Sequence, residues 1–171
     1  MSKKVVSIKS KEPDRFYDLD PGDLTISEKE SVVCLALMTL AQKHRPGASL
    51  KDWHDVKPFL QVKLSDCRHE VFGVICLDSQ HRVLGFDDLF QGTIDGAMVY
   101  PRVVAQHALE KNAAAVIFYH NHPSGVPEPS PADVALTARL KDALSFFDIR
   151  VLDHMIVGAE GIVSMAERCM L

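Results

Sequence analysis

Two histidines stand two residues apart in the string His120-Asn121-His122-Pro123-Ser124-Gly125, and after a seven-residue gap comes Ser130-Pro131-Ala132-Asp133. Imidazole nitrogens and a carboxylate are donors that zinc accepts. At the end of a strand, residues i and i+2 point to the same face, so His120 and His122 can aim their rings at one point. Ser130-Pro131 reads as a helix start, which would fix Asp133 in the first helical turn. His120, His122 and Asp133 would then form a three-ligand site. Catalytic zinc uses such a set, keeps a fourth position for water, lowers that water's pKa to roughly 7 and polarises a bound carbonyl. The cofactor this predicts is a single Zn2+ per chain. Such chemistry also needs a base. Glu70 heads the apolar run Val71 to Leu77 and is the candidate, on the condition that this run lies beside the strand ending at His120. The Ser130 hydroxyl is a candidate hydrogen-bond donor to the oxyanion of a tetrahedral intermediate.

Each residue also has an ordinary explanation. Ser130-Pro131-Ala132-Asp133 is a good helix cap, with Ser at the N-cap, Pro at N1 and Asp at N3. A lone His-x-His is common at strand ends, and Glu70 alone reads as a solvated charge at a strand start. Only the joint spacing raises the metal reading above these. Capping and ligation are compatible, because a ligand must be held rigidly.

The elements that must position these groups follow from period and punctuation. Residues 1–25 are a polar N-terminal tail carrying Pro13, Pro21 and Gly22, and residues 26–66 form a helical N-terminal segment. Ser27-Glu28-Lys29-Glu30 fits a capping box, with Val32, Val33, Leu35, Ala36, Leu37 and Leu40 as the apolar face and Arg45-Pro46-Gly47 as the stop. A second short helix is expected within Ser49 to Leu60, around Trp53 and Val56. Glu70 to Leu77 is a dense apolar strand. Asp78 to His81 is a turn, and Arg82 to Phe86 is the hairpin partner. Thr93 to Tyr100 is expected as a third strand. Pro101 starts a helix bearing Val103, Val104, His107, Ala108 and Leu109. Ala113 to Tyr119 is a buried strand that delivers His120, and a helix runs from Ser130 to about Phe147. Ile149 to Val157 and Ile162 to Met165 close the fold around a Gly158-to-Gly161 turn. Strands and helices mixed in this order predict an α/β sandwich around a mixed sheet.

Bulk properties narrow the function. A chain of 171 residues, 47% hydrophobic and 25% charged, is ordinary for one globular domain. No apolar run approaches the roughly 20 residues of a membrane helix, and the N-terminus lacks a secretory pattern, so a cytoplasmic protein without a membrane partner is expected. The net charge of −4 does not support DNA as the main partner, although a local basic patch stays open. Cys34, Cys67, Cys76 and Cys169 are scattered and form no Cys-x-x-Cys pair, which argues against a thiolate metal cage.

Glu70-Val71-Phe72-Gly73 together with His120-x-His122-x7-Ser130-x2-Asp133 resembles the JAMM motif of MPN-type metallopeptidases. The fuller His-Asn-His-Pro-Ser-Gly string resembles the RadC subgroup. Pro101-Arg102 upstream and Asp153-His154-Met155-Ile156-Val157-Gly158 downstream add to that likeness, which covers residues 67–171 as the catalytic domain. It implies a JAB/MPN fold related to the cytidine deaminase-like architecture: three layers, with a mixed central sheet flanked by helices. It implies zinc on His120, His122 and Asp133, Glu70 as general acid and base, and Ser130 as the oxyanion serine. The implied reaction is cleavage of a peptide or isopeptide amide in a peptide or protein substrate. Longer members carry a helix-hairpin-helix module ahead of this domain. The first 65 or so residues show no such glycine pattern, so the likeness is to the short form associated with mobile elements and toxin-antitoxin neighbourhoods.

Other classes fit less well. A nucleobase deaminase would show His-x-Glu followed by Pro-Cys-x-x-Cys, which this sequence lacks. In HNH nucleases the three residues are spread over a longer element. An MPN-like binding module, or a DNA-repair-associated protein with little turnover, is the alternative that keeps the same scaffold. His154 reads as a structural, hydrogen-bonded histidine near the site, His107 as packing at the core edge, Trp53 as a packing anchor, and Arg102 as either a substrate contact or a helix-start charge. The oligomeric state is not specified by any of these features.

Overall fold

The computed structural model describes residues 20–50, 53–64, 67–92 and 98–171. Five strands form one mixed sheet in the order β2-β1-β3-β4-β5: β1 Val71–Leu77, β2 Val83–Gln91, β3 Ala115–Asn121, β4 Arg150–Gly158 and β5 Gly161–Ser164. Neighbours are antiparallel except β3 and β4. A parallel pair needs a crossover, and α4 (Pro131–Ser145) supplies it.

Every residue of β1 and of β3 is buried, which is why both read as unbroken apolar runs. Their alternation feeds two cores. Ile75, Leu77, Ile117, Tyr119, Met155 and Val157 pack with Phe59, Leu60 and Leu64 of α2 (Lys57–Leu64). Phe72, Val74, Cys76, Val116 and Phe118 pack with Val104, Ala105 and Ala108 of α3 (Pro101–Glu110) and with Leu140 and Leu144 of α4. Helices therefore cover both faces of the sheet, giving the three-layer α/β arrangement expected from the sequence. No helix among the described residues is long and apolar enough to cross a membrane.

Five details differ from the sequence expectations. The first helix, α1 (Ile26–Lys43), is capped two residues earlier than Ser27, by a Thr25–Glu28 capping box. Thr25-x-x-Glu28 and Ser27-x-x-Glu30 both satisfy the pattern, and the earlier frame gives the longer helix. The apolar side of α1 is also not a buried face: Val32, Val33 and Leu35 are exposed, and Leu37 and Leu40 are half-buried against the α2-side core. The short second helix begins later than expected, as a single 3-10 turn at Trp53–Asp55 followed by α2, because Ser49 is held in a β-bridge with Arg82. β2 runs five residues beyond Phe86, to Gln91. Finally, residues 93–97 of the expected third strand lie outside the described residues, and Met98 to Tyr100 form no strand because Tyr100 is already the N-cap of α3. The side chain of Trp53 likewise lies outside the described set.

Candidate metal centre

His120 is buried near the end of β3 and, by strand alternation, faces α4. His122 lies just beyond the strand, and its backbone N–H donates to the Val157 carbonyl of β4 (2.8 Å). Ser130 is the N-cap of α4: its Oγ accepts from Asp133 N–H (3.2 Å), while Asp133 Oδ2 accepts from Ser130 N–H (2.7 Å) and from the Ser130 hydroxyl (2.6 Å). This reciprocal cap holds the Asp133 carboxylate rigid against the two histidines. His120 Nε2 lies 3.3 Å from Asp133 Oδ1, His122 Nε2 lies 3.4 Å from Asp133 Oδ2, and the two imidazole nitrogens are 2.9 Å apart. Among the described residues, these three form the one group of histidine, cysteine or acidic side chains close enough to share a metal ion.

The donor set fits a tetrahedral divalent metal. Bonds of 2.0–2.1 Å place tetrahedral ligand atoms about 3.3 Å apart; each imidazole has one oxygen of the carboxylate at that spacing, His120 with Oδ1 and His122 with Oδ2, and the two imidazoles need open by only about 0.4 Å. His122 Nδ1 meets the Val126 carbonyl at 2.9 Å. A carbonyl only accepts, so Nδ1 carries a proton, and Nε2 is the nitrogen that faces Asp133 and offers its lone pair to a metal in the neutral ring. Converging acceptors of this kind call for a cation between them. Burial by itself would raise the Asp133 carboxyl, but the neighbouring His120 and His122 imidazoles and the Ser130 hydroxyl hold it far below the usual carboxylate range. The Asp133 hydrogen bond raises His122 against the opposing effect of burial, and the Val126 carbonyl and the charges of Asp133 and Glu70 add to the rise.

The loop between His122 and Ser130 is tied to the β4–β5 turn. Gly125 adopts φ +88° and accepts from Glu160 N–H at 3.1 Å. Gly158 lies directly beneath this loop: a Cβ there would collide with the Gly125 carbonyl and stand 2.9 Å from Pro127 N. Glycine at 158 therefore permits the approach that puts the Val126 carbonyl on His122.

Glu70 immediately precedes β1. The antiparallel register pairs Phe72 with His120, and continuing that ladder by two residues sets Glu70 opposite His122. The condition placed on Glu70 by the sequence, that its strand lie beside β3, is met. The Glu70 carbonyl accepts from Gly92 N–H at 2.7 Å. Asn121, between the two histidines, points to the other side of the strand. Its Oδ1 accepts from Val71 N–H (2.7 Å), and its Nδ2 donates to the carbonyls of His69 (3.1 Å) and Cys67 (3.3 Å). It thus pins the segment that carries Glu70. Sequence reasoning passed over this residue. The available signal was an amide flanked by two candidate ligands, whose side chain must by alternation face the start of the neighbouring strand.

His154 on β4 is fully buried and hydrogen-bonded, as the sequence suggested. Its Nε2 lies 2.8 Å from His120 Nδ1, and its Nδ1 lies 2.6 Å from Thr137 Oγ1. Burial pushes it well below the ordinary histidine range, and the neighbouring His120 pushes in the same direction. Thr137 was also missed. It stands four residues after Asp133 and so shares the helix face of that ligand. The structure does not bring Arg102 or His107 to this centre. Arg102 lines a groove between α3 and α4, and His107 Nε2 bonds Asp87 Oδ2 at 3.0 Å on the β2 side.

The family model of RadC-like JAB domains matches residues 50–170. The chain is 50% identical over 147 residues to a UPF0758 protein of Marinobacter nauticus, covering 86% of this chain and 66% of that protein. It is 51% identical over 146 residues to one of Stutzerimonas stutzeri, covering 85% and 65%. It is 54% identical over 129 residues to one of Vibrio cholerae, covering 75% and 81%. The chain thus spans about two thirds of the length of the first two of these relatives.

Proposed function

Because this chain belongs to the RadC-like JAB domain family, we propose that it is a zinc-dependent hydrolase of the JAMM type that cleaves peptide or isopeptide amide bonds. The observation that carries this reading is the convergence of His120 Nε2, His122 Nε2 and the Asp133 carboxylate on one point. Zinc held by these three residues would act as a Lewis acid on the amide carbonyl and bring the pKa of a bound water to about 7. Glu70, opposite His122, takes a proton from the attacking water and returns it to the leaving amine. Asn121 fixes the backbone from which Glu70 projects. Ser130 has one hydroxyl proton, held by Asp133 Oδ2. Turned away from the carboxylate, that hydroxyl would donate to the developing oxyanion. The substrate is a peptide or protein, and the net charge of −4 does not support DNA as the main partner.

The test is hydrolysis of a panel of peptide and isopeptide substrates by the wild-type protein and by Glu70→Gln. The variant should keep its zinc and lose activity by about 10²–10⁴-fold. Equal rates in the two proteins would overturn the proposal. Glu70→Gln, still able to bind, would also serve as the bait for trapping the physiological substrate.

A further inference from the structure

Thr137 Oγ1 lies 2.6 Å from the Asp133 carbonyl oxygen, four residues back in α4. A carbonyl only accepts, so the single hydroxyl proton of Thr137 is committed there. Towards His154 Nδ1, 2.6 Å away, the same oxygen can therefore act only as an acceptor, and Nδ1 carries a proton. The His154 ring is fully buried and hydrogen-bonds no carboxylate, an environment that holds imidazole neutral. Its Nε2 is consequently bare and accepts from His120 Nδ1–H at 2.8 Å. With its proton on Nδ1, His120 presents a bare Nε2 to His122 and Asp133. The circuit starts and ends on candidate ligands: His120 on β3, His154 on β4, Thr137 on α4, then the main chain of Asp133.

We infer that Thr137 and His154 are positioning residues that fix the His120 tautomer in its metal-binding form, with the Thr137 hydroxyl as the determinant. The inference rests on the metal reading of His120, His122 and Asp133. A histidine that ligates through one nitrogen commonly has its other N–H held by a carboxylate, carbonyl or water. Here a second histidine takes that place, and its own state is set by a threonine.

The test uses the full chain with ¹⁵N-labelled histidine. Long-range ¹H–¹⁵N spectra of the metal-free protein should show His120 and His154 both protonated on Nδ1. Protonation of His120 on Nε2 would overturn the inference, and this readout needs no variant to fold. Thr137→Val removes the hydroxyl at nearly constant shape, and Thr137→Ser keeps it. By competition with a chromophoric chelator, Thr137→Val should bind zinc about 10–100-fold more weakly, and Thr137→Ser should stay close to wild type. Wild-type zinc affinity in folded Thr137→Val would overturn the inference. A wild-type protein that shows both tautomers yet binds no zinc would uphold the hydrogen-bond circuit and overturn the proposed function instead.

Discussion

Replacing Asn121 by alanine should cost stability and turnover together while leaving the metal in place. The amide makes three hydrogen bonds: it accepts from Val71 N–H and donates to the His69 and Cys67 carbonyls. In Asn121→Ala the Val71 N–H is left buried without an acceptor, which costs about 1–3 kcal/mol. The two carbonyls lie nearer solvent, since His69 is exposed and Cys67 half-buried, so their loss adds about 0.5–1 kcal/mol together. The sum, about 1.5–4 kcal/mol, is a large part of the 5–15 kcal/mol that holds a typical domain folded. Asn121→Asp should not rescue it, because the donor becomes an oxygen facing two carbonyls. Urea unfolding followed by circular dichroism measures the loss. Because the same bonds pin the segment carrying Glu70, kcat should fall by up to about 100-fold, the scale of a displacement near 1 Å, with zinc content unchanged. An alanine variant within about 0.5 kcal/mol of wild type, or one with full turnover, would refute the role given to this residue.

Further outcomes follow from the same structure. Gly158→Ala drives a methyl group into the backbone of Gly125 and Pro127, so it should destabilise the protein by about 1–3 kcal/mol and weaken zinc binding through the displaced Val126 carbonyl, both measurable by thermal unfolding with and without zinc. Cys76 is fully buried, and burial, aided by the Asp87 charge, pushes its thiol up to about 12. Mass spectrometry after maleimide treatment at pH 7 should therefore find the exposed Cys34 and Cys169 labelled and Cys76 untouched until urea is added. Labelling of Cys76 at the rate of the others would contradict that placement. Thr25→Ala should loosen the start of α1 by about 1 kcal/mol, read as faster amide exchange in its first turn, whereas Ser27→Ala should change little.

What was legible in the sequence follows from where side chains are buried. β1 and β3 are covered on both faces, so their residue types alone announce them, and the Ser130 cap with Pro131 marks the start of α4 without reference to any other segment. β2 was cut short because it carries charge at an edge. Asp87 is paired with His107 and Lys111, and Asp88 with Lys63 and the Tyr119 hydroxyl, so an edge strand looks like a loop. The cap of α1 was misplaced because two overlapping frames satisfy one pattern. At the candidate centre, the ligand types and spacing are local in sequence and could be read directly. Asn121 and the Thr137–His154 pair could not, because their roles depend on contacts across strands: the parallel register of β3 with β4 sets Phe118 beside His154, and α4 then lies over both.

The central claim is that His120, His122 and Asp133 together hold a catalytic zinc. Elemental analysis of protein purified without chelators tests it most directly, with wild type, Glu70→Gln and Asp133→Ala compared. About one zinc per chain is expected in the first two proteins and a large loss in the third, since three protein ligands are the usual minimum for a catalytic zinc. Zinc-free wild-type protein, or full zinc content in Asp133→Ala, would contradict the account.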